Sequence, residues 1–300
     1  MKIAYFGLPL GALLLHRDGH SLGPVVLSPV DAPGRRRLKR LYPALLDYAT
    51  DRHSDAAVSR ALRAERPELL VSWFWTRKLP SAWLSQPPLG AIGAHPSLLP
   101  RHRGPNPYFW SIDAGDPEVG VTIHRLEQEY DTGRMLARRA LPLGKRDAWQ
   151  LARALDRPAL ALLRETTLRL TRGERIDEAE QDDAQASWAA EPTGDELRVD
   201  FGWATERVLR RIRALSPTPG LALSVLDVDL FVTRAEPETE YVAALFPGEA
   251  HVSTALSLRT ADGAIRVTRA YFPDDETEAT SGPAVAAGVR DRAAALPRQR

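Results

Sequence analysis

The first 145 residues repeat one alternation: a short apolar run, a loop or helical stretch, then another apolar run. Several of these runs are continuously apolar, as strands covered on both faces are, and such strands are mostly parallel because crossover helices do the covering. KIAYFG (2–7), PVVLS (24–28), ELLVSWFW (68–75), GAIGAH (90–95), GVTIHRL (120–126) and MLARRALPL (135–143) are the predicted strands. ALLDYATDRH (44–53) and DAAVSRALRAE (55–65) are predicted helices between them. Residues 147–170 keep helical spacing and predict a longer helix, kinked or broken at Pro158. The first half therefore reads as an α/β unit, a mostly parallel sheet with helices on both faces.

The pattern then changes. Residues 172–198 are polar, acidic and without periodicity, which predicts a linker. ATERVLRRIRAL (204–215) is a basic amphipathic helix that stops at a Pro-Thr-Pro-Gly turn. The runs LALSVLDVDLFVTRA, HVSTALSLRT and AIRVTRAYF alternate, with Asp262 and Gly263 as a hairpin signal, and predict a small β-barrel or sandwich. The expected organisation is a first domain over 1–175, a linker over 176–198, a β domain over 199–275 and a loose tail over 276–300.

Charge and composition exclude several classes. Lys+Arg number 40 and Asp+Glu 39, a formal net charge of +1, so any polyanion must meet a local patch rather than the whole surface. There is no cysteine, which removes disulfides, thiol nucleophiles and cysteine zinc sites and is compatible with a cytoplasmic protein. The opening KIAYFGLPLGALLL imitates a signal peptide, but Gly7, Pro9 and Gly11 interrupt it and no small-residue cleavage site follows; a strand, a turn and a short helix fit better. No stretch reaches the ~18 apolar residues that a membrane helix needs. Oligomeric state is not legible.

The stretch GAHPSLLPRHRG (93–104), followed by Pro107, Trp110 and GVTIHRLEQEYDTG (120–133), resembles the folate-dependent formyltransferases, whose pattern is Asn-x-His-x-Ser-Leu-Leu-Pro, Arg-Gly, Gly-Val-Thr and Asp-Thr-Gly. The likeness runs on through DAPGRRRLKRL (31–41), Asp200-Phe201 and the Arg-Ala-Leu-x-Pro-x-Pro-Gly turn, and is strongest to the methionyl-tRNA members. The resemblance implies a Rossmann-like catalytic domain, a C-terminal OB-like β-barrel, and formyl transfer from 10-formyltetrahydrofolate to a primary amine, with initiator methionyl-tRNA the expected partner and no metal. It also implies a place for each residue. His95 and Asp131 would be catalytic. Trp75, Lys78, Leu79, Gln128, Glu129 and Tyr130 would bind folate. Ser97, Arg103, Arg35, Arg36, Arg37, Lys39, Arg40 and Arg211 would bind the acceptor or its RNA. Relatives acting on an amino sugar or a metabolite amine, and a non-catalytic folate- or RNA-binding relative, are the alternatives.

Acyl transfer to an amine needs a group that moves a proton near neutral pH and a donor near the developing oxyanion. Histidine suits the first task, and a neighbouring carboxylate orients it and raises its pKa. His95 ends a predicted strand, where α/β sheets place ligands. Read from the residues alone, His95 could equally cap the strand and Asp131 shape a turn. Pro96 and Pro100 would stiffen the loop behind His95. Ser97 lacks the glycine elbow of a serine nucleophile, and His95 and Asp131 lack further metal ligands at usable spacing. Gly93 stands where the family has asparagine, and loss of such an oxyanion donor costs about 3–4 kcal/mol in other enzymes. Asn106, in a turn sequence, is a candidate substitute. His124 is expected to pack or face solvent, and Trp73, Phe74 and Trp75 to be core before platform. Five positive charges in residues 35–40 form an expected basic loop, and Glu191 stands where the methionyl-tRNA members carry lysine.

Overall fold

In the computed structural model the described residues are 1–48 and 55–296, without the Glu276 side chain. The chain divides into two compact units: residues 1–107, 118–141 and 154–190 form one, and 108–117, 142–153 and 191–300 the other. Among the described residues no helix is long and apolar enough to cross a membrane.

The elements up to residue 171 are β1 (Lys2–Gly7), α1 (Pro9–Arg17), β2 (Ser21–Leu27), α2 (Arg35–Leu41), β3 (Leu46–Asp47), α3 (Asp55–Glu65), β4 (Leu69–Trp73), α4 (Ser81–Leu84), β5 (Ala91–His95), α5 (Pro107–Ala114), β6 (Glu118–Arg125), β7 (Met135–Pro142) and α6 (Ala148–Thr171). Seven strands form a Rossmann-like sheet in the order β3-β2-β1-β4-β5-β6-β7. It is parallel from β3 to β5, and β6 pairs antiparallel with β5. Successive strand residues face opposite ways, and β1 is buried in both directions: Ala4 and Phe6 join Val58 and Leu62 of α3 in one core cluster, while Tyr5 lies against Gly11 of α1. That two-sided cover is why the strands read as continuous apolar runs.

Local chemistry moved several boundaries. Pro24 sits inside β2, and the register with β1 slips beside it because proline has no N–H to give the ladder. Phe74 adopts φ 55° and ends β4 before the apolar run is finished. Leu46 and Asp47 extend the sheet, where a helix over 44–53 was predicted; residues 49–53 of that prediction lie outside the described residues. Pro158 neither breaks nor ends α6. The expected basic loop is a helix, α2, from Arg35 onward.

The second unit carries α7 (Thr205–Ala214), β8 (Leu221–Val225), β9 (Val228–Glu238), β10 (Ala250–Val252), β11 (Leu256–Arg259), β12 (Ala264–Phe272), β13 (Asp275–Ala279) and α8 (Gly282–Ala295). Its six strands form an antiparallel, OB-like half-barrel in the order β10-β11-β12-β9-β8, with β13 on β12. Asp262 and Gly263 fall between β11 and β12, which pair as the hairpin signal predicts. Residues 282–295 correct the loose tail: α8 buries Val285, Ala286 and Val289, and Gly288 lets it approach the Phe272 ring, where a β-carbon would come within 2.6 Å.

Candidate active site

β5 delivers His95 to the carboxyl end of the parallel sheet, the edge at which α/β folds receive ligands. Cross-strand pairing sets Gly93 opposite His124 and His95 opposite Thr122, so all four residues share one face. Beyond β6 the chain turns back, and Asp131 enters this face with φ 58°, a left-handed backbone that aspartate tolerates better than most residues. Gly133 makes that turn possible: a β-carbon there would lie 2.2 Å from the Arg125 carbonyl oxygen.

The sequence-predicted pair meets. His95 Nδ1 is 3.4 Å from Asp131 Oδ2, with both side chains mostly shielded from solvent. His95 Nε2 lies 2.7 Å from the carbonyl oxygen of His102, and the Gly104 N–H donates to Asp131 Oδ2 at 2.8 Å. Burial lowers the His95 pKa, and the pull of Asp131 and the His102 carbonyl does not overcome it, so the ring is neutral near pH 7 and able to take a proton. Burial alone would raise the Asp131 carboxyl, but the imidazoles of His95 and His124 and the Gly104 N–H outweigh it and hold the group well below the usual carboxylate range.

Three residues contribute that sequence reasoning passed over. His124 is buried with Nε2 3.5 Å from Asp131 Oδ1, neither inert packing nor solvent-facing. Gln181 donates to the carbonyls of Asp131 and Gly133, each at 2.7 Å, and accepts from Arg103 Nε at 2.9 Å. Ser187 accepts the His102 N–H on Oγ, while its carbonyl and that of Ala189 take the N–H groups of Arg103 and Asn106. Residues 181–189, expected as patternless linker, are therefore bound to the loop beside His95. Strand alternation in GVTIHRL could have placed His124 on the site face; nothing in the acidic run marks Gln181.

The other expected residues divide. Lys78 is 3.5 Å from Glu129 and stands 5.6 Å from the Tyr130 ring centroid, so the two stretches expected to bind folate do meet. Gln128 is exposed beside them. Leu79 belongs to the core cluster and half-buried Trp75 packs against it, and Trp75 Nε1 is a buried donor without an acceptor among the described residues. Trp73 is core. Four more are engaged within the chain. Ser97 is buried, its Oγ donating to the Arg101 carbonyl, so it pins the loop. Arg103 is held by Gln181 and Asp183. Arg35 is buried on Asp47 and the carbonyls of Ser28 and Val30, leaving Arg36, Arg37, Lys39 and Arg40 as the exposed cations of α2; Lys39 also reaches Asp47, at 3.0 Å. Arg211 is buried on Asp113.

Gly93 carries no left-handed φ, and its missing side chain leaves no vacant space. A β-carbon there would be 2.7 Å from Leu126 Cδ2 and 3.3 Å from Cγ.

The signature of the family described as formyl transferase matches residues 25–162, and that of the formyl transferase C-terminal domain matches residues 193–282. The chain belongs to the formyl transferase family. This formyl transferase is 36% identical over 291 residues to the methionyl-tRNA formyltransferase of Anaeromyxobacter dehalogenans, covering 90% of this chain and 91% of that one. It is 34% identical over 235 residues to the methionyl-tRNA formyltransferase of Thermus thermophilus, covering 73% and 75%. Among solved structures, its fold is similar to an N-formyltransferase from Helicobacter canadensis in complex with folinic acid and dTDP-3-aminofucose (TM-score 0.70, 15% identity, 90% of this chain and 100% of that chain). It is also similar to HypX from Aquifex aeolicus in complex with tetrahydrofolic acid (TM-score 0.66, 23% identity, 96% of this chain), of whose length it spans 47%.

Proposed function

We propose that the chain transfers a formyl group from 10-formyltetrahydrofolate to the amino group of initiator methionyl-tRNA. The observation that carries the reading is the buried His95–Asp131 pair at the end of β5, in a chain similar to methionyl-tRNA formyltransferases through both domains. The reading implies a cytoplasmic protein acting at translation initiation. The folate fits what the chain offers: Lys78 as a cation for its carboxylates, Tyr130 as an aromatic face, the main chain about Leu79 for the pterin, and the unpartnered Trp75 N–H as a further donor. When bound, 10-formyltetrahydrofolate supplies the formyl group and the nitrogen that leaves.

The protein's own work is proton handling and orientation. With Nε2–H directed at the His102 carbonyl, the proton taken from the attacking amine comes to rest on His95 Nδ1, facing Asp131 Oδ2. Asp131 fixes the ring and offsets the charge it gains. The deciding experiment is a formyl-transfer assay with charged initiator tRNA beside free amino sugars. Transfer only to the sugars would replace the acceptor, and no transfer to any amine, with folate still bound, would favour a binding protein.

Replacing Arg36, Arg37 and Arg40 by Ser is expected to weaken tRNA binding and to reduce the slope of log K against log salt by about 0.9 for each phosphate no longer neutralised. Arg35 is left intact because it holds Asp47. An unchanged salt slope, read from binding isotherms, would make α2 a solvated surface and nothing more.

Gly93→Asn is expected to raise kcat, with folate affinity nearly constant, since an oxyanion donor acts mainly in the transition state. Leu126 must yield to the new side chain, so Gly93→Asn with Leu126→Ala should gain more than Gly93→Asn alone, up to about 10²-fold. Slower turnover in both variants, with folate still bound, would refute a donor role for position 93.

A further inference from the structure

Two exposed aromatic rings stand beside Asp131, and the reaction above uses only one of them. Trp188 is 55% exposed and Tyr130, the residue before Asp131, 46%. Their centroids are 6.5 Å apart. Large apolar side chains scattered singly over a surface are ordinary. These two adjoin each other and the reacting pair.

Trp188 opens to solvent from a main chain that is fixed. It is bridged to Arg103: the Ser187 carbonyl accepts the Arg103 N–H at 2.9 Å, and the Ala189 N–H donates to the Arg103 carbonyl at 2.6 Å. The indole then lies on the next residue of that loop. A β-carbon on Gly104 would come within 3.1 Å of Cε2 and Cη2 of the ring, so a glycine is what lets the indole rest there. The same Gly104 donates its N–H to Asp131 Oδ2 at 2.8 Å, and Asp131 lies 3.4 Å from His95. A rigid ring on a fixed backbone offers a large contact area at low conformational cost.

The two rings are inclined at 54°, so no single flat group can stack on both. Tyr130 goes with the folate residues, since Lys78 stands 5.6 Å from its ring centroid and 3.5 Å from Glu129. Trp188 comes from a different segment, braced on the loop that binds His95. A second flat group suits it, and the acceptor is the other molecule that the reaction brings there. In an aminoacyl ester of RNA only the ester and a ribose separate the reacting amine from the terminal base, so that base comes to rest close to His95 and Asp131. In a nucleotide sugar a diphosphate and a sugar ring intervene, and the base lies far from the amine.

We propose that Trp188 is the stacking platform for the terminal base of the aminoacylated RNA, and so a specificity-determining residue for the acceptor. The acceptor's identity rests on the formyl-transfer reading.

The test crosses two deletions on the full chain. Initiator tRNA with its terminal base intact, and the same RNA abasic at that position, are titrated against wild type, Trp188→Ala and Trp188→Tyr, and their charged forms are assayed for turnover. With intact RNA, Trp188→Ala should raise Kd and KM by at least about fivefold, the lower end of what base–aromatic stacking contributes, and leave the KM for 10-formyltetrahydrofolate unchanged. The abasic RNA should bind wild type and Trp188→Ala alike, because each deletion removes the same contact. Trp188→Tyr keeps a flat face and should bind nearly as the wild type does. A merely structural role would cost the same with intact and abasic RNA, and that result would overturn the proposal. A raised KM for the folate alone would give the ring to the folate and overturn it as well. Should the wild type transfer no formyl group, the Kd comparison still decides the platform and only the function reading falls; should the intact RNA not bind at all, both fall.

Discussion

His95→Ala is expected to lose formyl transfer by about 10²–10⁴-fold, the range general acid–base catalysis supplies, while the chain stays folded. The ring makes one hydrogen bond to a loop carbonyl and one ionic contact, so its removal leaves the sheet itself intact. Asp131→Asn is the better partner variant than Asp131→Ala, because the amide oxygen can still accept the Gly104 N–H while the charge disappears. The two changes together should cost hardly more than either alone, as for groups working as a unit. Turnover with charged initiator tRNA is the measurement, with circular dichroism as the control for folding. Ordinary turnover in His95→Ala would remove the pair from the mechanism.

Asp113→Ala is expected to destabilise the second unit by about 3–5 kcal/mol, the cost of leaving one partner of a buried ion pair behind. Arg211 Nε and Nη2 bind the two oxygens of Asp113 at 2.6 and 2.9 Å, and Nη1 donates to the carbonyls of Asp195, Glu196 and Arg198. The guanidinium also lies 5.4 Å from the Phe109 ring centroid and 5.2 Å from that of Trp203. The arginine side chain is buried, so its charge has no route to solvent once the carboxylate goes. Asp113→Leu with Arg211→Met should cost less than Asp113→Ala, since no buried charge is stranded. Urea unfolding followed by circular dichroism reads both, and an unchanged midpoint in Asp113→Ala would show that the pair carries no stability.

Much of this was legible. The parallel sheet could be read from its continuous apolar runs because burial on both faces leaves no polar alternation to confuse the pattern. His95 and Asp131 could be paired because the motifs around them are rare combinations in a fixed order. What sequence hid were partnerships of charged and polar residues. Arg35 and Arg211 look like surface cations in a string of letters, and their burial depends on Asp47 and Asp113, one at a strand end and one 98 residues away. Gln181 sits in an acidic run with no period, and its three hydrogen bonds exist only because two distant loops arrive beside it. His124 was passed over for the opposite reason: a histidine inside an apolar strand reads as packing until the carboxylate it faces is known.

The loop behind His95 receives its main-chain partners late. His102 waits for Ser187, 85 residues further along, and Asn106 waits for Ala189. A chain made from its N-terminus at about 5–20 residues per second would expose that loop, with Asp131 already synthesised, for several seconds before its cover emerged. The sheet can close around β1 and β5 in that interval, but the surroundings of His95 cannot be finished. Competence is thus timed by the acidic stretch rather than by the strands that carry the site, and a nascent chain halted near residue 175 would hold both reacting side chains without the segment that fixes the loop between them.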